Sequence, residues 1–222
     1  MSPAARFHAL ISTLTILVMF GLITYAVPRL LIYANPILTT GGWVNALLSG
    51  SIAFLGSVGA YRLLAWGLTW LLHRSSRVRS WIFGPSFLHG TWVGFFVGHA
   101  GDKRFTVEKF DQDLDGLVIN GRSYMDNRQL HGQWTSEATS VDARSGRLIY
   151  TYSFDVGSRS ITLDGICTFQ FDRSASYNAP HSITGYAHDL NDPTRIAVHE
   201  VKISDALLSW DEALTLAVER FT

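Results

Sequence analysis

Two textures divide the chain. Across residues 7–27 the side chains are almost wholly apolar, with His8 as the only group that can carry charge near neutral pH. A helix of roughly 20 such residues spans the hydrocarbon core of a bilayer, and Pro28 marks the expected end of this first span. A second apolar run, residues 44–72, carries a single charge, Arg62. It is longer than one crossing requires, which predicts either a tilted helix or departure of residues 63–72 into the interface. Trp66 and Trp70 suit the headgroup layer there, and Arg62 can extend toward it. Around Tyr25, Pro28 and Arg29 there is no small-residue cleavage site, so the first run is read as a retained helix and not as a signal peptide.

From residue 80 the pattern becomes short alternating segments between turn signals. Strands are predicted at 89–99, 105–110, 116–119, 122–124, 129–140, 148–155, 161–172, 183–190 and 196–203. Turns are expected at Gly101-Asp102, Asp115-Gly116, Ser145-Gly146, Gly157-Ser158 and Asn191-Asp192-Pro193, with Asn120-Gly121 the strongest hairpin signal. Only the end reads as helix: Leu207, Trp210, Leu214, Ala217 and Phe221 recur at helical spacing, with Ser204 or Asp205 as cap. The expected fold is therefore membrane α plus all-β. Two N-terminal transmembrane helices (1–79) precede a small antiparallel β-barrel of about eight strands with a C-terminal helix (80–222). A barrel is preferred to a sandwich because closure leaves no sheet edge.

Charge sharpens the division. The first 79 residues hold six arginines and no acidic residue; the first acid is Asp102, so all 18 acidic residues and the other 12 basic ones lie beyond. Arg6 precedes the first span and Arg74, Arg77 and Arg79 follow the second, while residues 34–42 between them lack Lys and Arg. The positive-inside rule then puts both termini in the cytoplasm, although Arg29 sits against this scheme. A lone cysteine, Cys167, and the lack of an N-glycosylation sequon agree with a reducing compartment for the second half. In the second span Ser49, Ala53 and Ser57, and Gly56 and Ala60, recur four apart. Such small residues allow close helix packing, either against the first span or between subunits.

Two segments resemble each other, Leu88-His-Gly-Thr-Trp92 and Leu130-His-Gly-Gln-Trp134. Each places a glycine and an indole on one side of a strand. Both indoles can simply fill a barrel, or one can stack on a ligand. Two spans, a basic collar and a barrel opened by Leu-x-Gly-x-Trp resemble the membrane effectors of bacterial CBASS antiphage defence. Gly146-x-x-x-Tyr150-x-Tyr152 and Gly185-Tyr186-Ala187-x-Asp189 add to the likeness. The resemblance covers essentially the whole chain and rests mainly on the order of its parts. It implies a barrel similar in role to STING that binds a cyclic dinucleotide made by a cognate CD-NTase. Homo-oligomerisation of the membrane helices and damage to the inner membrane would follow.

Such a ligand calls for aromatic platforms, cations for its phosphodiesters and donors for its base edges. Alternation puts Tyr150, Tyr152 and Phe154 on one face of a strand, and Arg122 beside Tyr124 on another. Arg195 opens a further strand, and Thr168 alternates with Gln170. With Trp134, the candidate ligand contacts are Arg122, Tyr124, Trp134, Tyr150, Tyr152, Thr168 and Arg195. The competing reading for the tyrosines is ordinary core, and for the arginines solvated surface. The acidic second half argues against binding DNA or RNA polymers, which wants a basic stripe.

Other chemistry is weaker. Asp111-x-Asp113-x-Asp115-Gly116 opens like a calcium loop, but Arg122 stands where a bidentate Glu belongs, so an acidic turn without metal is expected. The eight histidines show no zinc spacing, and there is no G-x-S-x-G and no P-loop. No enzyme and no cofactor is expected. The alternatives to a nucleotide-gated effector are a membrane-tethered lipocalin-like carrier of an apolar molecule, or a filled barrel acting as an adaptor.

Overall fold

Eight strands, each antiparallel to the next, close into a barrel in simple sequence order. They are β1 (Gly90–Val97), β2 (Lys103–Gln112), β3 (Leu117–Met125), β4 (Leu130–Asp142), β5 (Arg147–Val156), β6 (Ile161–Asp172), β7 (Ser182–Asp189) and β8 (Ile196–Ser204). Pairing of β1 with β8 completes the ring, so no strand edge is left to recruit another chain. The computed structural model describes residues 3–26, 29, 42–98, 101–156, 161–190 and 194–222. It resolves into two compact units, Met1–Val78 and Arg79–Thr222.

The barrel is filled at the end where the chain enters it. Trp92 is fully buried, stacks on Phe110 with ring centroids 5.2 Å apart, and donates its indole N–H to Leu88 O at 2.9 Å. Leu88, Ile119, Leu148, Phe169 and Ile183 complete this plug. Gln112 ties the incoming chain to it. Its Oε1 accepts from the Leu88 and His89 amides at 2.8 and 3.3 Å, and its side-chain amide donates to Ser86 O at 2.8 Å.

The outer face of β1–β3 is covered as well. A C-terminal helix, α4 (Trp210–Phe221), packs Ala213, Leu214 and Ala217 on Val93, Phe105, Val107 and Tyr124. Ser209 caps it by accepting from the Glu212 amide at 3.3 Å. The cap expected at Ser204 or Asp205 is corrected: Ser204 ends β8, and Asp205 pairs with Lys202 Nζ at 2.7 Å.

A second correction concerns Asn120-Gly121, expected to turn a hairpin. Both residues lie inside β3, which runs straight through them and pairs with β2 and β4 on its two sides. The glycine has a different reason to be there: a Cβ at Gly121 would collide with the indole of Trp134.

In the first unit α1 (Pro3–Gly21), ending in a π-helical turn (Leu22–Ala26), packs on α2 (Gly42–Arg74). Phe7, Ile11 and Thr15 are its buried stripe, one helical turn apart. The Thr15 hydroxyl is satisfied by Ile11 O at 2.8 Å. His8 Nδ1 meets Tyr61 Oη at 2.9 Å, while a Cβ at Gly56 would lie 3.7 Å from Met19 Cε. These contacts advance along α1 and retreat along α2, so the helices form an antiparallel pair. Large apolar side chains lie exposed on both, among them Leu17, Phe20 and Ile23 on α1 and Phe54, Leu55, Leu63 and Trp66 on α2.

Among the described residues Pro3–Tyr25 is the helix long and apolar enough to cross a bilayer; a second crossing is not shown. Residues 63–72 belong to α2, which continues unbroken to Arg74 over 33 residues, roughly 50 Å. Residues 34–41 of the connection lie outside the described residues. A short helix, α3 (Ser76–Phe83), and a 3-10 turn (Gly84–Ser86) carry the chain into the barrel.

Candidate ligand cavity

The barrel is hollow at the end opposite the Trp92 plug. A cavity of about 620 Å³ lies within it, inside the range of roughly 300–1,000 Å³ usual for small-molecule sites. Its walls are largely aromatic: Phe96, Trp134, Tyr150, Tyr152, Phe154 and Phe169. Arg104, Met125, His131 and Asp189 line it near the strand ends, and Thr106, Glu108, Cys167 and Glu200 lie deeper.

The polar groups meet across glycines. Glu108 on β2 stands opposite Gly121 on β3, which stands opposite Trp134 on β4. The bare Gly121 lets the indole lie flat over it and donate Nε1–H to Glu108 Oε1 at 3.0 Å. Gly165 does the same service on β6. Tyr152 crosses it to donate its hydroxyl to Asp189 Oδ1 at 2.9 Å, two strands away. On β1, Gly94 separates Thr106 from Glu200, and a Cβ there would come within 2.9 Å of Glu200 Cγ and 3.0 Å of the Thr106 hydroxyl. The gap allows Thr106 to donate to Glu200 Oε1 at 3.0 Å. Each glycine is a window that a side chain of one strand uses to reach a carboxyl beyond the next.

Glu108 and Glu200 are both buried, at 1 % exposure. Glu108 Oε1 accepts from Tyr150 Oη at 2.6 Å as well as from Trp134. Neither Glu108 Oε2 nor Glu200 Oε2 meets a donor among the described residues. Two ionised carboxylates buried beside one another would repel, which favours retention of a proton by the pair. Burial and then the Glu108 charge push Glu200 well above the ordinary carboxyl range. Burial also pushes Glu108 up, opposed by the bonds it accepts from Glu200, Tyr150 and Trp134. The pair therefore retains a proton to a higher pH than an ordinary carboxyl does. Burial likewise raises Tyr150, Tyr152 and Cys167, so all three are neutral donors at the cavity wall.

At the mouth Arg104 is the cation. It donates Nε–H to Asp102 Oδ2 at 2.6 Å, contacts His131 Nε2 through Nη1, and lies over Phe96. Its bond to Asp102 holds that carboxyl below the usual range.

Of the seven residues expected to contact a ligand, Trp134, Tyr150 and Tyr152 line this cavity. The other four do not, and their expected place in a shared pocket is corrected. Arg122 and Tyr124 share a face, but it is the outer one. Tyr124 is buried under α4, and Arg122 lies 4.4 Å from the Trp210 ring, which Lys109 also approaches at 4.1 Å. Thr168 follows the inward Cys167 and points outward. Arg195 is exposed and stacks on Tyr186, 4.4 Å from its ring centre. Sequence reasoning missed Arg104, His131, Glu108, Asp189 and Glu200. The alternation around Val107 and Val201 carried the signal for the two glutamates, but only for a reader who knew which face was inward.

The acidic turn folds on itself: Asp113 Oδ1 accepts from the Asp115 and Gly116 amides at 2.8 and 2.9 Å. No group of His, Cys, Asp and Glu suited to a metal ion occurs among the described residues. No protein-family model matches the chain, and no curated protein is significantly similar to it.

Proposed function

We propose that the chain is a membrane-anchored effector of the CBASS type whose barrel cavity binds a cyclic oligonucleotide. The observation that carries this reading is the 620 Å³ cavity, walled by Trp134, Tyr150, Tyr152 and Phe154 with Arg104 at its mouth. Aromatic faces stack on bases irrespective of sequence, and a guanidinium pairs with phosphodiester oxygens. Retention of a proton by the Glu108–Glu200 pair reduces the negative charge an anionic ligand would meet in the cavity.

In this reading α1 and α2 both cross the inner membrane, with both termini in the cytoplasm. Ligand binding favours an associated state of the helices and so disrupts the bilayer, which requires that the ligand bind that state more tightly. The exposed apolar side chains of α2 support a second crossing. Gly56 is turned to α1, whereas a Cβ at Gly50 or Gly59 would have no described atom within 4 Å, which leaves small-residue positions open to a second copy. The ligand would come from a cognate CD-NTase, and DNA and RNA polymers are not substrates.

Calorimetry on the full-length protein in nanodiscs, titrated with cyclic di- and trinucleotides, tests the reading. Saturable binding of one member at micromolar concentration or below is expected; flat titrations across the panel on folded protein would overturn it. A second reading is favoured by the largely apolar wall, namely a tethered carrier of a hydrophobic molecule. It predicts a lipid co-purifying with the protein in native mass spectrometry.

A further inference from the structure

No acidic residue precedes Asp102, so the arginines of the unit Met1–Val78 have no carboxylate within their own unit and their counter-charge must come from outside it. On α2, Arg62, Trp66, Trp70 and Arg74 stand four residues apart, and side chains so spaced follow one another along a single stripe. All four are exposed, the two indoles at 72 % and 55 %. The Arg74 guanidinium lies over the Trp70 ring, 5.8 Å from its centre, and Arg77, also exposed, follows in α3. Length sets where the stripe begins. A crossing uses about 20 residues of helix; counted from Gly42 these end at Tyr61, the residue before Arg62. The contact of His8 with Tyr61 brings the exposed Arg6 of α1 to this level, within about one turn. Residues 62–74 carry α2 about 18 Å further.

We infer that this stripe is a docking surface for anionic phospholipid of the cytoplasmic leaflet. Lipid phosphates pair with Arg6, Arg62, Arg74 and Arg77, and the indoles of Trp66 and Trp70 lie among the headgroups. The inference rests on the reading of α2 as a membrane crossing and is independent of the nucleotide reading. It goes beyond both by naming the class of lipid the helices select.

Charge selects this occupant over the others. A zwitterionic lipid brings its own cation with each phosphate, whereas an anionic lipid supplies the uncompensated negative charge that the unit lacks. A guanidinium meets phosphate oxygens through paired N–H donors, and indoles favour the headgroup level, apolar on the ring and polar at the N–H. A second copy packed along the stripe would set Arg62 against Arg62 and Arg74 against Arg74 about a parallel twofold axis. Neither helix pair holds an acid to relieve that repulsion.

The experiment reconstitutes full-length protein in phosphatidylcholine vesicles that contain a small fraction of brominated lipid, either phosphatidylglycerol or phosphatidylcholine. Bromine quenches indole fluorescence at short range, so quenching reports which lipid lies beside the stripe. Brominated phosphatidylglycerol should match an about fivefold or higher fraction of brominated phosphatidylcholine, since one arginine at an anionic surface is worth about fivefold in binding. This excess should vanish in Arg62→Gln/Arg74→Gln/Arg77→Gln and in Trp66→Phe/Trp70→Phe. In wild type it should fade between about 0.1 and about 1 M salt, as the screening length falls from about 10 to about 3 Å. The salt series needs no variant, so it decides the matter even where the arginine variant does not reconstitute. Equal quenching by the two lipids, an excess indifferent to salt, or one that survives in Trp66→Phe/Trp70→Phe would overturn the inference and leave the membrane reading standing. Release of the protein from vesicles by alkaline carbonate would end the membrane reading and this inference with it.

Discussion

The indole N–H of Trp134 reaches Glu108 Oε1, 3.0 Å away on a strand that is not its neighbour, by crossing the bare backbone of Gly121. This contact joins the aromatic wall of the cavity to its carboxyl floor and explains a glycine in the middle of a strand. Replacing Gly121 with Ala should destabilise the barrel by about 1–3 kcal/mol, the usual cost of forcing atoms into a packed interior. In a Trp134→Ala background the same change should cost much less. Chemical denaturation of the four proteins in a double-mutant cycle checks this.

The carboxyl pair gives a stability slope with a defined sign. Glu200 has its folded pKa raised above the ordinary value of 4.5, chiefly by burial. Between that value and the raised one the folded state holds more protons than the unfolded state. Its stabilisation is complete below pH 4.5 and is lost as pH rises through the folded pKa, at no more than about 1.4 kcal/mol per pH unit. Glu200→Gln should therefore match wild type in acid and exceed it in alkali, as read by thermal unfolding across pH.

His89 produces the opposite slope at the filled end. Burial first, then the charges of Arg79 and Lys202, lower its pKa from 6.5 to about 4, against Asp111 and Asp205. The stability this represents is present above pH 6.5 and is lost as pH falls toward 4. Replacing His89 with Gln should remove the acid limb of the profile and leave the Glu200 limb intact.

Tyr152→Phe deletes the hydroxyl that spans Gly165 to Asp189. A loss of about 0.5–1.5 kcal/mol is expected in denaturant titrations, the usual worth of one such bond. Because Tyr152 also forms cavity wall, ligand affinity should fall in the same variant.

In the membrane unit Gly56 and Gly59 should separate two roles. Gly56→Leu crowds Met19 and should loosen the α1–α2 pair, whereas a Cβ at Gly59 has no described atom within 4 Å. Sedimentation of the detergent-solubilised protein should show Gly59→Leu unchanged without ligand and blocked in ligand-driven association.

The barrel and most strand positions were legible because β5 to β8 alternate with a plain inner face, as in Tyr150, Tyr152 and Phe154. The site was harder to see because β2 is covered on both sides. Phe105 and Val107 are the apolar members of its alternation and read as core, yet they face α4. Arg104, Thr106 and Glu108, the polar members, line the cavity. A helix packed on the outside of a barrel inverts the usual inference from polarity. Asn120-Gly121 misled for a related reason: local turn chemistry was outweighed by a tertiary contact, the Trp134 indole, contributed by another strand.

The central claim is that the hollow end of this barrel is a cyclic-nucleotide site, and photo-crosslinking tests it most directly. The full-length protein would be labelled with an azido-substituted cyclic dinucleotide and the modified residues mapped by mass spectrometry. The account predicts competable labelling of the wall formed by Trp134, Tyr150, Tyr152 and Phe154. Labelling confined to the outer face around Arg122 and Trp210, or none that unlabelled nucleotide displaces, would contradict it.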